Sequence, residues 1–308
     1  MWNRRKLNET FPNNDIALQW CFDNGFIPSQ KLCNTHRTPM ILEKGHGKFG
    51  RFVCNKGSCK SQNRISCTTG TWFENVKLEI PTVFSLMYSF ARDENYTEAI
   101  NEAARLESNI RASHNTVCDW YNYARELICD DFLSQQNFRG KIGGLNSIIQ
   151  VDESKIGKRK YHKGRRVEGA WLVGLIENGS EDFRLEICDN NERTAEVLHA
   201  IIERHVEKGS ILHTDFWKGY LGIERKGYSH ERVNHSDPEN PFVGPSGVHT
   251  NRVESCWRPL KDYFRKKQFH PESLADHIVE YQWRRNCKKE NCDTFDALLT
   301  SIHRKYGV

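Results

Sequence analysis

The hydrophobic pattern of this 308-residue chain changes period more than once. Ile16, Ala17, Trp20 and Cys21 stand at helical intervals, which predicts a helix over residues 12–27. Residues 30–75 lose that period; cysteine, glycine and turn formers alternate with short β-like runs such as 48–54. The helical period returns over 80–135. Segments 82–92, 96–106 and 113–131 carry apolar residues every three or four positions, and Pro81 stands where a first turn would begin. Short helices with tight connections predict a helix-turn-helix unit.

KIGGLNS at 141–147 reads as a linker, and after it the pattern turns to β. Residues 148–152, 170–176 and 183–188 are apolar runs at hairpin spacing, with the turn signal Asn178-Gly179 between the second and third. A helix is predicted over 194–208, with Ala195, Val197, Leu198, Ile201 and Ile202 on one side. Strands follow at 210–215 and 228–233, the first separated from the earlier ones by that helix, which implies a parallel crossover. Helices are predicted at 251–265 and 273–288. Three antiparallel strands, a helix, two strands and a helix is the order of a ribonuclease-H-like core, an α/β fold.

That order gives meaning to three acids. Asp152 ends the run IIQVDES and Asp215 ends SILHTDF. Apolar strands that stop at an acid place it at the carboxyl edge of the sheet, where open α/β sheets hold ligands. Two adjacent carboxylates repel each other unless a divalent cation lies between them. Glu254, in the helix HTNRVESCWRPLKDYF, supplies the third acid of a two-metal site. Two ions about 4 Å apart activate the attacking oxygen and stabilise the leaving one in phosphoryl transfer. Oxygen ligands point to magnesium or manganese. Lys261 stands seven residues after Glu254 and so projects from nearly the same helix face, where it can hold a phosphate. Asn251, one turn before Glu254, is the alternative third ligand, and His249 a weaker one.

Charge adds a partner. The net charge is only +5, but residues 155–166 (KIGKRKYHKGRR) and 258–267 (RPLKDYFRKK) are basic clusters flanking the candidate acids. No apolar run approaches the ~20 residues of a membrane span. The N-terminus lacks a secretory pattern, so a cytosolic or nuclear setting is expected.

Eleven cysteines in such a chain suggest reduced thiols and a metal site. Cys33 and His36 form one pair and Cys54 and Cys59 a second, separated by a β-like segment: the logic of a zinc ribbon tied by one tetrahedral ion. Cys67, and less so His46, are alternatives for the fourth ligand. Cys118, Cys129, Cys188 and Cys256 lie in periodic apolar contexts and read as core. The expected organisation is an N-terminal helical segment (1–29), a zinc ribbon (30–79), a helix-turn-helix-like domain (80–140), a ribonuclease-H-like catalytic domain (141–270) and a C-terminal helical segment (271–308).

The pieces VDES, HTD followed by FWKGY, and HTNRVESCWRPLKDYFR resemble the Merlin-superfamily DNA transposases and their bacterial insertion-sequence relatives over roughly residues 30–285. His249, Asn251, Glu254, Trp257 and Lys261 all fall where that family has them. The resemblance implies an Asp-Asp-Glu triad, here Asp152, Asp215 and Glu254, with Asn251 the position used by Asn-bearing branches. It implies cut-and-paste transposition: binding terminal inverted repeats, hydrolysing strands at the element's ends and joining the freed 3′-hydroxyls to target DNA. A zinc ribbon followed by a stretch like GTWFE at 70–74 is also implied. So are at least a dimer and a nuclear protein, or a cytoplasmic one in a bacterial host. A sequence-specific DNA-binding protein derived from such an enzyme, without catalysis, and a ribonuclease-H-like nuclease are the competing readings.

DNA contacts are expected in two further places. His114 and Asn115 would face outward at the start of a recognition-like helix capped by Ser113. Lys158, Arg159, Lys160, Lys163, Arg165 and Arg166 read as a basic hairpin tip against the backbone, with Tyr161 able to stack on a base. Trp217 and Tyr220 either contact the flank of the scissile strand or pack in the core.

Overall fold

The computed structural model describes residues 1–307 other than 63, 105–111, 158–168, 237, 240–241, 245–246 and 268–269. It divides into two compact units, one of residues 1–131 and 290–308 and one of residues 132–289. The segment expected at 271–308 is therefore shared between them. Among the described residues no helix is long and apolar enough to cross a membrane.

The first unit opens with two short helices, α1 (Arg4–Thr10), which the pattern did not indicate, and α2 (Asn14–Asp23), inside the span expected at 12–27. Asn3 and Asn13 cap their first turns, accepting from the amides of Lys6 and Ile16. A three-stranded antiparallel sheet follows, β1 (Ile41–Glu43), β2 (Arg51–Val53) and β3 (Arg64–Ser66), in sequential order. Helix α3 (Ile80–Ala91) is buried along its whole length. Two of its buried hydroxyls are satisfied by Arg4, which donates to those of Ser85 (2.9 Å) and Ser89 (2.5 Å) and pairs with Glu94. Helices α4 (Tyr96–Ala104) and α5 (His114–Arg139) complete the expected helical region. The connection that would define a helix-turn-helix lies outside the described residues.

The second unit is built on a five-stranded sheet. Strands β4 (Ile148–Ile156), β5 (Ala170–Glu177) and β6 (Phe183–Ile187) form an antiparallel meander. Helix α6 (Ala195–His205), capped by Thr194, then carries the chain across to β7 (Ile211–Thr214), which pairs parallel to β4, and β8 (Ser229–Arg232) pairs parallel to β7. The order β6-β5-β4-β7-β8 is the arrangement expected of a ribonuclease-H-like core. Helices α7 (Asn251–Lys266) and α8 (Leu274–Lys289) lie on the face opposite α6. The alternation of β4 and β5 sorts their side chains between the two layers. Ile149, Val151, Val173 and Leu175 pack with Leu198, Ile201 and Ile202 of α6, while Leu172 and Ile176 pack with Val253, Trp257 and Leu260 of α7. The last helix, α9 (Thr294–Tyr306), returns to the first unit, where Phe295 meets Phe84 of α3 edge to face at 6.5 Å.

One glycine is dictated by this packing. Gly174 pairs with Asp152 in the β4–β5 ladder, and a β-carbon there would stand 2.8 Å from ring atoms of both Phe183 and Trp257. The Trp257 indole can lie this close to the sheet only because the side chain beneath it is missing. Gly174→Ala is expected to destabilise the protein by about 1–3 kcal/mol through overpacking. Urea unfolding of the full chain checks this, and an unchanged midpoint would contradict it.

Candidate active site

Asp152 does not end its strand, as its sequence context had suggested. β4 continues to Ile156 because β5 pairs with it all the way to Ala170. β7, by contrast, pairs with β4 only as far as Gln150. Asp152 thus projects where β4 runs on past its parallel neighbour, and Asp215, the residue after β7, arrives beside it. Oxygens of Asp152, Asp215 and Glu153 lie within 4.8 Å of one another. The first two acids are therefore brought together as expected. Glu153 was missed: strict alternation aims it at the opposite face from Asp152, and only the adjacency of two acids at a strand crossing could have flagged it.

The two neighbouring acids live in different surroundings. Asp152 accepts a 2.7 Å hydrogen bond from the indole Nε1 of Trp257. Burial pushes its carboxyl up to about 6; the Trp257 indole and the Glu153 amide oppose the rise, and the charges of Asp215 and Glu254 add to it. The Glu153 side chain is 2% exposed, with Arg193 3.9 Å away. Burial pushes it up to about 7; the adjacent Tyr220 hydroxyl counters part of this, and Asp215 and Asp152 add to it. Tyr220 stands beside Glu153 without full hydrogen-bond geometry, leaving its hydroxyl and Glu153 Oε1 both buried and unpaired. Asp215 is oriented locally, its Oδ1 accepting from the Trp217 amide at 2.8 Å.

Glu254, expected as the third acid, sits on α7, and β4 itself fixes that helix. Gln150 is fully buried, two residues before Asp152 on the same face. Its amide oxygen accepts from the amides of Arg252 (2.9 Å) and Val253 (3.2 Å), the first turn of α7. Its nitrogen donates to Asn178 Oδ1 at 3.2 Å and lies 3.1 Å from His249 Nδ1. A strand side chain thus caps the helix, in place of a residue of the helix's own sequence. Trp257, three residues after Glu254, completes the attachment through Asp152.

Glu254 itself is turned partly aside. Its Oε1 accepts from the Thr250 hydroxyl at 2.6 Å and lies 3.3 Å from His235 Nε2, with the side chain 41% exposed. It is near enough to raise Asp152 but stands outside the 4.8 Å cluster. Asn251 is exposed at the first position of α7. His249 is engaged with Gln150. Lys261 is half-buried two turns after Glu254 and has no hydrogen bond or ion pair among the described residues.

A divalent cation fits the clustered acids: three oxygen donors, two of them with carboxyls raised towards neutrality chiefly by burial, are stabilised by positive charge. Of the expected DNA contacts, His114 and Asn115 are exposed at the start of α5, His114 lying against the Tyr96 ring at 4.9 Å. Lys158, Arg159, Lys160, Tyr161, Lys163, Arg165 and Arg166 lie outside the described residues. Trp217 and Tyr220 both pack against the α6 layer.

The second cluster joins Cys33, His36, Cys54 and Cys59 within 4.8 Å. Cys33 Sγ is 3.6 Å from both His36 Nδ1 and Cys59 Sγ, and Cys54 Sγ is 3.6 Å from His36 Nδ1. Ligand atoms around one tetrahedral zinc, with Zn–S near 2.3 Å and Zn–N near 2.0 Å, stand about 3.5–3.8 Å apart, so this donor set fits. Ser58 Oγ, 2.9 Å from His36 Nε2, fixes the ring with Nδ1 inward. The rivals are occupied elsewhere. Cys67 donates to the Phe49 carbonyl and is pushed up to about 11 by burial, and His46 meets Arg51. Cys129, Cys188 and Cys256 are buried and Cys118 half-buried.

Residues 142–286 match the ISXO2-like transposase domain, which supports an insertion-sequence DDE transposase. No curated protein matches the chain. Among solved structures, the catalytic core domain of BIV integrase is similar at 17% identity, covering 52% of this chain and 97% of that one, with a TM-score of 0.30. The catalytic domain of Mos1 mariner transposase is similar at 12%, covering 60% and 93%, with a TM-score of 0.28. The Mos1 Strand Transfer Complex is similar at 10%, covering 74% and 97%, with a TM-score of 0.21. The fold rests on strand order and register, not on similarities this distant.

Both raised carboxyls have a consequence for stability. Their folded values, about 6 for Asp152 and about 7 for Glu153, lie above the ~4 of an unfolded chain, so folding takes up protons between these limits. Metal-free protein therefore loses stability as pH rises from about 4 to 7. Asp152→Asn, which keeps an acceptor for Trp257, is expected to unfold like wild type near pH 4 and at higher temperature above pH 7. A difference in melting temperature that does not vary with pH would refute this assignment. At the other cluster, elemental analysis is expected to find about one zinc per chain, retained by Cys67→Ser and reduced by His36→Ala. Equal zinc in both variants would overturn the ligand set.

Proposed function

We propose that the protein is a metal-dependent DNA transposase acting by cut-and-paste transposition. The observation that carries this is the convergence of Asp152 and Asp215 across the β4–β7 pair within a segment matching a transposase domain. Asp152, Asp215 and Glu254 form its triad, and the resemblance of HTNRVESCWRPLKDYFR to Merlin-superfamily enzymes belongs to this reading. Two magnesium ions, or manganese, would supply a polarised water or 3′-hydroxyl and stabilise the leaving oxygen.

The chain's own residues prepare that chemistry. Trp257 holds one Asp152 oxygen, leaving the other for an ion. The Trp217 amide holds Asp215 in the same way. Glu254 joins them by a side-chain rotation away from Thr250 and His235; its exposure leaves it free to do so. Glu153, almost wholly buried, adds negative charge and one ligand oxygen from beneath and is too enclosed to meet DNA. Lys261 holds a phosphate beside the acids. The zinc ribbon, with His114 and Asn115 on α5, binds terminal inverted repeats, and a dimer or higher oligomer brings two ends together.

With magnesium, the full chain is expected to nick oligonucleotides carrying the inverted repeats that flank its gene. Asp215→Ala should lower nicking by on the order of 10³-fold while leaving binding intact. Cleavage that persists in this variant would sink the proposal. Comparing Glu254→Gln, Asn251→Ala and Glu153→Gln in the same assay ranks the third ligand, with Glu254→Gln expected to lose most.

A further inference from the structure

On the α6 side of the sheet, an arginine is held in an unusual way. The Arg193 guanidinium lies 3.7 Å from the centre of the Trp171 ring and 4.4 Å from that of Trp217, sandwiched between two indoles. Its one ion pair among the described residues is with Glu153 at 3.9 Å, beyond hydrogen-bond reach. The side chain is 25% exposed. Its five N–H donors thus have no protein acceptor among the described residues, although contact with both indoles already holds the side chain in place.

The same tryptophan ties this arginine to the acids. Trp217 gives its indole Nε1 to the Arg193 carbonyl at 3.1 Å and its amide to Asp215 at 2.8 Å. Gly219 permits the approach: a β-carbon there would come within 2.9 Å of both the Trp217 indole nitrogen and the Arg193 carbonyl. A second cation extends the row, with Lys155 Nζ 5.6 Å from the other indole, Trp171. Two cations on an aromatic support border a cluster of three acids.

We propose that Arg193 is an anchor for a DNA phosphodiester beside the cleavage site, reading the backbone and not the base sequence. This rests on the DNA-processing reading above. A guanidinium fork matches two phosphate oxygens, and its rotamer freedom is spent before DNA arrives, so little ordering cost remains for binding. Its charge also offsets the repulsion a phosphate meets on approaching Asp152, Glu153 and Asp215. If Arg193 served only to pack the tryptophans or to neutralise Glu153, it would contribute nothing to counterion release.

That difference gives the test. The full-length protein is titrated with a mixed-sequence DNA duplex over a range of sodium chloride, with calcium replacing magnesium. The affinity of Arg193→Met is expected to fall less steeply with salt, its log–log slope shallower than wild type by about 0.9, the value of one phosphate contact. Arg193→Lys keeps the charge and should keep the slope but bind several-fold more weakly, having lost fork and stacking. A methionine variant with the wild-type slope overturns the proposal. Should that variant not fold, a lysine variant equal to wild type in both slope and affinity overturns it instead. A wild-type chain that does not bind the duplex would sink the DNA reading itself, a result distinct from either.

Discussion

The site depends on one buried amide. Gln150 uses both lone pairs of its oxygen on the first turn of α7 and turns its nitrogen to Asn178 and His249. An amide has no further hydrogen-bonding positions to fill, so nothing polar is stranded in a fully buried setting. Remove it, and two helix amides face the interior without acceptors, each costing about 1–3 kcal/mol. The consequence is positional as much as energetic. Gln150 and Asp152 are two residues apart on one rigid strand, and Glu254 lies two residues beyond Arg252 and one beyond Val253. The strand that carries Asp152 therefore also sets the axial position of the helix that carries Glu254. Trp257 then sets its rotation, reaching Asp152 through the space that Gly174 leaves open.

Strand alternation divides the acids between two environments. Asp152 faces α7 and an indole N–H; Glu153 faces α6, Tyr220 and Arg193. Their carboxylates still approach each other and Asp215, because all three lie where β4 outruns β7. Burial makes ionisation costly for Asp152 and Glu153, and the Asp215 charge raises the cost for both. A site built this way is held together as a shape by packing and by Gln150, yet is unfavourable as a charge distribution until cations enter. That is the physical state expected of a site able to hold metal ions without closing around them.

Much of this arrangement was legible in the sequence because it follows from periodicity. The two strands ending near acids, the Asn178-Gly179 turn, the crossover helix and the long amphipathic helix with Glu254 all carry local signals, and the strand order follows from their sequence. The Cys33, His36, Cys54 and Cys59 set was legible from pair spacing, since each pair must form a knuckle. Long-range placements were not legible. Nothing local says that β5 holds β4 extended to Ile156, so Asp152 read as a strand end. Gln150 did leave a trace, a polar residue within the apolar run IIQV, which has to find partners if the strand is central. Arg193 left none: its two tryptophans lie 22 residues before it and 24 after it, one at the start of β5 and the other just past the end of β7.

The chain's cations stand apart from its clustered acids. Arg193 and Lys155 stand on the α6 side of the cluster, and Lys261 stands on α7 on the other. On the transposase reading, a DNA strand laid across the end of β4 would meet positive charge on both flanks and uncompensated carboxylates between them. Metal ions in the middle lower the repulsion felt by the phosphate, and the phosphate supplies oxygens that the ions need. Each ligand then raises the affinity of the other, by equal factors, as linkage requires. The chain accordingly has no need of a complete cage of its own around the cations. Three acids in a cluster and a fourth on an exposed helix face leave coordination positions that the scissile phosphate itself would fill.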